Sequence, residues 1–308
     1  MNRLQGTTCL VTGGAGFIGS NFVLDWLASE NEPVINLDKL TYAGNLESLV
    51  FASRSPRYHF EKVDIRDSGE VARLFKQYDP DGIMHLAAES HVDNSIKDSL
   101  PFVNTNVVGT VKLLETVKIH LRFLPKDFKF IHISTDEVYG SLESLEGSFT
   151  ESTPYDPRSP YSASKAASDH FVMAYYNTYG VPAIITNCSN NYGPYQHPEK
   201  FIPTVIRNAL EGNDIPVYGA GTNIRDWIYV IDHCDAIMAA GEKGVAGSQY
   251  LFGGNNQVRN IDLAKKILNI LKLPESLITY VEDRKGHDHR YDIDNKLSKA
   301  LLGWEPVM

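Results

Sequence analysis

From Thr8 to about Asn187, short apolar runs alternate with stretches whose apolar residues recur every three or four positions. The runs Thr8-Cys9-Leu10-Val11-Thr12, Val34-Ile35-Asn36-Leu37, Tyr58 to Val63 and Gly82-Ile83-Met84-His85-Leu86 are short and bounded by Gly, Asp or small residues, so each predicts a strand. A fifth begins at Phe130. Between them, Phe22, Val23, Trp26 and Leu27 mark one helix, Val71 to Tyr78 a second, and Asn104 to Val117 a third with Val107, Val111 and Leu114 at i, i+4, i+7. Strict strand–helix alternation with continuously apolar strands predicts an α/β fold with a doubly wound, Rossmann-type parallel sheet and a ligand crevice above the strand ends. Beyond Asn187 the alternation weakens, and a smaller C-terminal domain is expected there.

Gly13-Gly14-Ala15-Gly16-Phe17-Ile18-Gly19 joins the first strand to the first helix. A G-x-x-G-x-x-G spacing lets backbone N–H groups approach a pyrophosphate at a helix N-terminus, although a tight strand-to-helix turn would use the same residues. The second strand ends at Asp38, close to the roughly 20-residue offset at which an acid holds the adenosine ribose hydroxyls. A carboxylate there repels a 2′-phosphate and favours NAD over NADP; Lys39 softens that preference without reversing it. Asp64 and Ile65 suit an adenine edge and face, or equally a surface turn. The domain reading is residues 1–188 as an NAD-binding Rossmann domain with a later return segment around 226–252, and 189–308 mainly as a substrate-binding domain.

Ile131-His132-Ile133-Ser134-Thr135-Asp136-Glu137-Val138-Tyr139-Gly140 passes from a buried strand to two adjacent carboxylates and a glycine turn. Two acids where a parallel strand emerges are either a solvated loop or a working acid/base pair. Further on, Ser159 and Pro160 suit the N-cap and first position of a helix that Gly180 ends, which puts Tyr161 and Lys165 one turn apart on one face. Ala163, Ala167, Phe171 and Ala174 mark another face, small and apolar. A lone Tyr-x-x-x-Lys is common on solvated helices, but following a dinucleotide fold at this distance it reads as a catalytic pair.

Composition narrows the field. A formal net charge of -9 argues against a nucleic-acid partner held by a general positive field, so an anionic substrate must meet local cations. Lys200, Arg225 and Arg284 are candidates, with Tyr218 or Phe201 available to stack a base; each could equally be a surface charge or a core aromatic. Cys9, Cys188 and Cys234 form no C-x-x-C pair, and His287-x-His289 lacks a third ligand, so neither a disulfide framework nor a metal site is expected. Met1-Asn2-Arg3-Leu4-Gln5-Gly6 leads directly into a strand-like segment, and no apolar run approaches the roughly 18 residues of a membrane span. A cytoplasmic protein without a membrane partner is expected.

Gly13-x-x-Gly16-x-x-Gly19, Asp38 and Tyr161-x-x-x-Lys165 resemble the extended short-chain dehydrogenase/reductase superfamily. Within it, Ser134 to Gly140, Asn187 to Pro194, Arg225-Asp226-Trp227 and Asp283 to Asp288 closely resemble the dTDP-glucose 4,6-dehydratases, and the likeness runs from Leu10 to about Trp304. The Thr135-Asp136-Glu137 triplet discriminates: related 4-epimerases have small residues in place of the two acids, and related decarboxylases typically keep only the glutamate. The resemblance implies an NAD-dependent hydro-lyase acting on dTDP-glucose, in which oxidation at C4 makes the C5 proton acidic, water leaves across C5 and C6, and the hydride returns to C6. It assigns Tyr161 as base toward the C4 hydroxyl, its phenol lowered by Lys165 and NAD⁺; Lys165 to the nicotinamide ribose; Thr135 to the C4 oxygen; Glu137 to the C5 proton; and protonated Asp136 to the departing C6 oxygen.

It further implies NAD contacts at Gly13, Gly16, Phe17, Ile18 and Gly19, at Asp38, Lys39, Thr41 and Gly44, at Asp64 and Ile65, at Leu86, Ala87, Ala88 and Ser90, and at Thr105, Tyr161, Lys165 and Asn191. Substrate contacts are implied at Ser90, Thr135 and Asn190, at Lys200, Phe201, Ile202, Pro203, Thr204 and Val205, at Pro216, Val217 and Tyr218, at Arg225 and Asn260, and at Asp283, Arg284, Lys285, Gly286 and His287. Family members often have Pro in place of Lys285 and Arg in place of His289, and usually continue past Trp304 into a further helix. They are typically homodimers with two helices per subunit at the interface. Other readings stay open: a UDP-sugar 4,6-dehydratase, a 4-epimerase or decarboxylase, or a non-catalytic NAD-binding regulator.

Overall fold

The computed structural model describes residues 8–308, so Met1 to Gly6, expected to lead into the first strand, lie outside the described residues. The strands are β1 (Cys9–Thr12), β2 (Val34–Leu37), β3 (Tyr58–Glu61), β4 (Gly82–His85), β5 (Lys129–Thr135), β6 (Ala183–Cys188), β7 (Asn190–Tyr192), β8 (Ile215–Tyr218), β9 (Ile224–Tyr229), β10 (Gln249–Phe252), β11 (Gln257–Arg259) and β12 (Ile278–Val281). Seven of them form one parallel sheet in the order β10-β6-β5-β4-β1-β2-β3. The winding reverses between β1 and β4, and that switch point opens a crevice at the carboxyl ends of the strands.

Alternate residues of each strand enter opposite cores, as the two-residue period requires. Cys9, Val11, Ile131, Ile133 and Ile184 pack with Phe22 and Trp26 of the helix Phe17–Ser29 and with Ile237 of the helix Val230–Lys243. Leu10, Ile35, Ile83, Phe130 and Ile185 pack on the other face with Leu113, Leu114 and Val117 of the helix Thr110–His120 and Val172 of the helix Pro160–Tyr179. The chain before Thr110 is π-helical over Val103–Gly109. A π turn shifts the register, so the core takes Leu113, Leu114 and Val117 in place of the expected 107/111/114 stripe, and Val107 and Val111 remain half-buried.

The return to the main sheet extends beyond the expected 226–252 segment. β10 forms its edge, and the helix Lys296–Leu302 with Trp304 also rejoins the first core. The backbone N–H groups of Val307 and Met308 donate to Asp232 Oδ2. The remaining strands build two small sheets, β11-β9-β7 and β12-β8, beside the mouth of the crevice.

Phe130 is fully buried one residue into the strand that ends at the candidate catalytic triplet. Phe130→Ala should lower unfolding stability by about 3–5 kcal/mol, read from the urea midpoint at constant slope; a change below about 1 kcal/mol would mean that the cavity collapses.

Candidate active site

Backbone geometry alone builds the dinucleotide half of the crevice. Gly13 has φ +73°, and a Cβ on it would lie 2.6 Å from Ala87 N, so the loop after β1 packs directly on the chain leaving β4. A Cβ on Gly19 would lie 2.2 Å from Gly13 O. Gly16 caps the helix Phe17–Ser29 with no side-chain acceptor, which leaves the first-turn N–H groups to an anion. Asp38 Oδ2 accepts from Ala15 N (3.0 Å) and Oδ1 from Leu40 N (2.8 Å); burial raises its pKa, and the two N–H groups pull it back. The residues fit a bound NAD: a cradle that side chains would fill, free N–H groups and an acid at the ribose position.

Gly13, Gly16, Phe17, Ile18, Gly19, Asp38, Lys39, Thr41, Gly44, Asp64 and Ile65 line one continuous cleft with Leu86, Ala87, Ala88, Ser90 and Thr105. At its far end the same cleft is lined by Thr135, Asp136, Glu137, Tyr161, Lys165, Asn190, Asn191 and Lys200. Lys39 lies 3.8 Å from Asp64, whose carboxylate also accepts three bonds from the Arg66 side chain.

The catalytic half sits where β5 gives way to a 3₁₀ turn, Asp136–Tyr139. Thr135 Oγ1 donates to Asp136 Oδ1 (3.2 Å) and accepts from Glu137 N (3.3 Å), so the triplet is folded onto itself. Opposite, Ser159 and Ser162 form a capping box, Pro160 takes the first helical position, and Gly180 closes the helix at φ +71°, as the sequence predicts. Tyr161 is 8% exposed and Lys165 4%. Lys165 Nζ donates to Ile133 O on β5 (2.8 Å), which ties helix to strand.

Burial moves both acids upward, unequally. Asp136 is raised well above the usual carboxylate range, first by burial and then by Glu137 and Asp226. Glu137 is raised by burial, while Arg225, Lys200 and Arg284 oppose the rise. Both carboxyls are thus shifted toward the protonated form by burial, and cations oppose that shift most at Glu137, the unequal surroundings from which an acid/base pair is made. Of the two charges expected to lower the Tyr161 phenol, Lys165 and NAD⁺, Lys165 is not among the main groups acting on it in the protein alone. Burial, then Glu137 and Cys188, push it well above its usual value, the Thr135 hydroxyl pulls it down, and the Lys165 ammonium is turned to the Ile133 carbonyl.

The expected substrate residues are less uniformly placed. Ser90, Thr135, Asn190 and Lys200 line the cleft, and Lys200 Nζ donates to Ser90 O (2.8 Å). Phe201 stacks on Trp227, with Ile202, Pro203 and Thr204 half-buried beside it. Val205 and Val217 are each 1% exposed and face packed interior, so their side chains are not free to line a pocket; a two-residue alternation buries Val217 and exposes Pro216 and Tyr218. Arg225 donates to the carbonyls of Ile224 (2.8 Å) and Asp288 (2.9 Å) and lies 4.2 Å from the Tyr291 ring centre. Arg284 makes a two-pronged pair with Asp93 (2.6 and 2.9 Å) and covers the Tyr218 ring, while His287 Nδ1 pairs with Asp283 at 2.6 Å. Lys285 and Gly286 are exposed, and Asn260 opens the helix Asn260–Leu271. Among the described residues no group of three or more His, Cys, Asp or Glu is arranged to hold a metal.

Sequence reading missed the residues that brace the site. Asn106 bonds both the N–H and the carbonyl of Glu89 and the Ser164 hydroxyl, which fastens the β4 loop to the helix of Tyr161. His233 bonds Asn191 Oδ1 (2.9 Å), and Asn191 Nδ2 donates to Ser189 O (3.0 Å). Neither lies near its partner in the chain, so no local pattern could show it.

An acid whose proton affinity is raised by folding costs stability above the ordinary carboxylate range, because the unfolded chain ionises freely in water while the fold must keep the proton bound or bury the charge. Below that range both states are protonated and the cost vanishes. Asp136→Asn should therefore unfold at a higher temperature than wild type at pH 7, with the difference shrinking as pH falls through the ordinary carboxylate range. A difference independent of pH would contradict this electrostatic account.

Comparison with known proteins now bears on the whole chain. The family model described as GDP-mannose 4,6 dehydratase matches residues 10–308. The dTDP-glucose 4,6-dehydratase of Neisseria meningitidis is 52% identical over 97% of this chain and 88% of its own, and that of Salmonella typhimurium 53% over the same shares. The crystal structure of dTDP-glucose 4,6-dehydratase from Streptomyces venezuelae with NAD and TYD bound superposes with TM-score 0.93 at 46% identity, covering 98% of this chain and 92% of that one. The UDP-glucuronic acid 4-epimerase of Bacillus cereus shares the fold (TM-score 0.90) at 28% identity, with 98% and 94% covered. The chain thus belongs to the dTDP-glucose 4,6-dehydratases, within the extended short-chain dehydrogenase/reductase superfamily.

Proposed function

We propose that this protein dehydrates dTDP-glucose to dTDP-4-keto-6-deoxyglucose with NAD as a bound cofactor. One observation carries the reading: Asp136 and Glu137 stand side by side in the cleft with Tyr161, both raised by burial, with Lys200, Arg225 and Arg284 opposing the rise at Glu137. An epimerase has no use for such a pair, since it removes no proton from C5 and no water from C6.

NAD held along the glycine loop and Asp38 supplies a hydride acceptor that is restored within the cycle. Tyr161 takes the C4 hydroxyl proton, with Thr135 bonded to the same oxygen, and Lys165 would hold the nicotinamide ribose of bound NAD. A sugar C5 proton becomes acidic only beside a C4 carbonyl; Glu137 then removes it, and Asp136 delivers its proton to the C6 oxygen as water departs. The phenol needs positive charge to act as a base, because burial holds it protonated. Lys200, Arg225 and Arg284 are the cations assigned to the diphosphate side, and their common electrostatic effect on Glu137 supports placing them together. Arg284 must leave or share Asp93 to meet a phosphate.

Three buried free cysteines agree with a reducing, cytoplasmic setting. A homodimer agrees with apolar side chains left bare on the two neighbouring segments around 100–110 and 160–179: Leu100, Val103, Val108 and Phe171 are each at least 39% exposed, and Ala163 and Ala174 are exposed beside them.

With C4-deuterated dTDP-glucose the label should appear at C6 of the product and no NADH should accumulate, while UDP-glucose run alongside reports the choice of base. Glu137→Gln should slow elimination by about 10²–10⁴-fold and spare oxidation, so that NADH absorbance builds in a single turnover. Label lost to solvent, or equal loss of both steps, would refute the assignment. In sedimentation velocity the wild type should run as two chains and Phe171→Glu as one; a single-chain wild type would dismiss the dimer.

A further inference from the structure

The sheet face that meets the helix Pro160–Tyr179 is apolar at its base and polar toward the carboxyl ends. Thr12, His85, His132, Ser134 and Asn187 follow Leu10, Ile83, Phe130 and Ile185 at two-residue spacing, and all five are 4% exposed or less. His132, Ser134 and Asn187 of this set meet Asp169, 1% exposed and one helical turn beyond Lys165, while Thr12 and His85 bond each other and His85 bonds Thr110. Asp169 Oδ2 accepts from Ser134 Oγ (2.8 Å), the Tyr155 hydroxyl (2.9 Å) and Asn187 Nδ2 (3.5 Å). Its Oδ1 has no hydrogen-bond partner, although His132 Nε2 lies 3.1 Å away.

We propose that Asp169 is a positioning residue for the dehydratase reaction: it is the buried counter-charge that keeps Lys165 cationic, and through Ser134 and Asn187 it holds the strand end bearing Thr135, Asp136 and Glu137. The proposal rests on the function argued above. A buried ammonium with one carbonyl partner is costly unless an opposite charge stands near it. The titratable groups around Lys165 are Tyr161 and Asp169 on its own helix, His85 on β4, His132 on β5 and Cys188 on β6. Of these Asp169 alone is a carboxylate. His132 does not cancel it, because burial and the Lys165 charge hold that imidazole down to about 4, hence neutral. The second role is geometric: Asn187 Nδ2 also donates to Thr135 O (3.0 Å), and its Oδ1 accepts from Gln249 Nε2 (2.7 Å), so the carboxylate, the β6 amide and the triplet's first carbonyl form one connected set.

Asp169→Asn keeps the shape and removes the charge; Ser134→Ala removes one hydrogen bond and keeps the charge. In Asp169→Asn the alkaline limb of kcat/KM should move to lower pH, with a loss at pH 9 at least about tenfold greater than at pH 7. Ser134→Ala should lower kcat at every pH and leave the limb in place, and Asp169→Glu should restore it. A readout independent of substrate is the lysine ¹³Cε resonance that Lys165→Arg abolishes. In the wild type it should report an ammonium at pH 7.5, and in Asp169→Asn it should titrate at lower pH. A neutral amine in the wild type overturns the proposal whatever the variants do. So does an Asp169→Asn whose pH profile and Lys165 titration match wild type, even if its melting temperature falls. Because the NMR titration uses the protein without substrate, it still decides the matter if another nucleotide sugar proves to be turned over.

Discussion

Charge held away from water is the constraint on which this molecule is arranged. Lys165, Asp136 and the Tyr161 phenol all lie almost wholly buried at the carboxyl ends of β4, β5 and β6, with Glu137 beside them. Each would be cheaper to expose, and the fold offsets the cost with near neighbours: a backbone carbonyl for the ammonium, the Thr135 hydroxyl for Asp136, and a layer of buried polar side chains beneath. A parallel sheet suits this, because its strands end together and its faces are closed by helices.

The same burial makes the acids unequal. Two carboxylates in water would titrate nearly alike; here Asp136 sits deeper and near Asp226, Glu137 is near Asp288, and Arg225 acts on both while Lys200 and Arg284 act on Glu137. In a chain of net charge -9 these cations are a local concentration rather than a general field. They belong to the part of the chain after Asn187, so the substrate-side segments tune the acids that the Rossmann half presents. Asp226 is itself fixed by the N–H groups of Gly254 and Asn256, which ties this tuning to the short β9–β11 sheet.

The cofactor half is built differently, from the absence of side chains. Gly13 and Gly19 permit backbone-to-backbone approach, and Asp38 both shapes the loop, through Ala15 N and Leu40 N, and lines the cleft. Here geometry follows from chain-local requirements, whereas the catalytic half needs side chains contributed by distant segments.

That difference decides what could be read in advance. Alternating apolar runs, the glycine spacing, Asp38, the Ser159-Pro160 cap and the Thr135-Asp136-Glu137 triplet beside Tyr161 and Lys165 are local patterns, and the sequence by itself determined from them a doubly wound sheet with an acid pair above a dinucleotide cleft. The tertiary structure alone decided which way each charge is biased. It turned Lys165 to the Ile133 carbonyl, seated Arg225 on Tyr291, paired Arg284 with Asp93, placed Val205 and Val217 in the interior, and brought Ser134 and Asn187 to Asp169. A periodicity reports which face of an element is buried; it carries no information about which element, far along the chain, packs on that face. Proton affinities depend on those long-range neighbours and on the water they exclude, and neither exists until the sheet and its helices have come together.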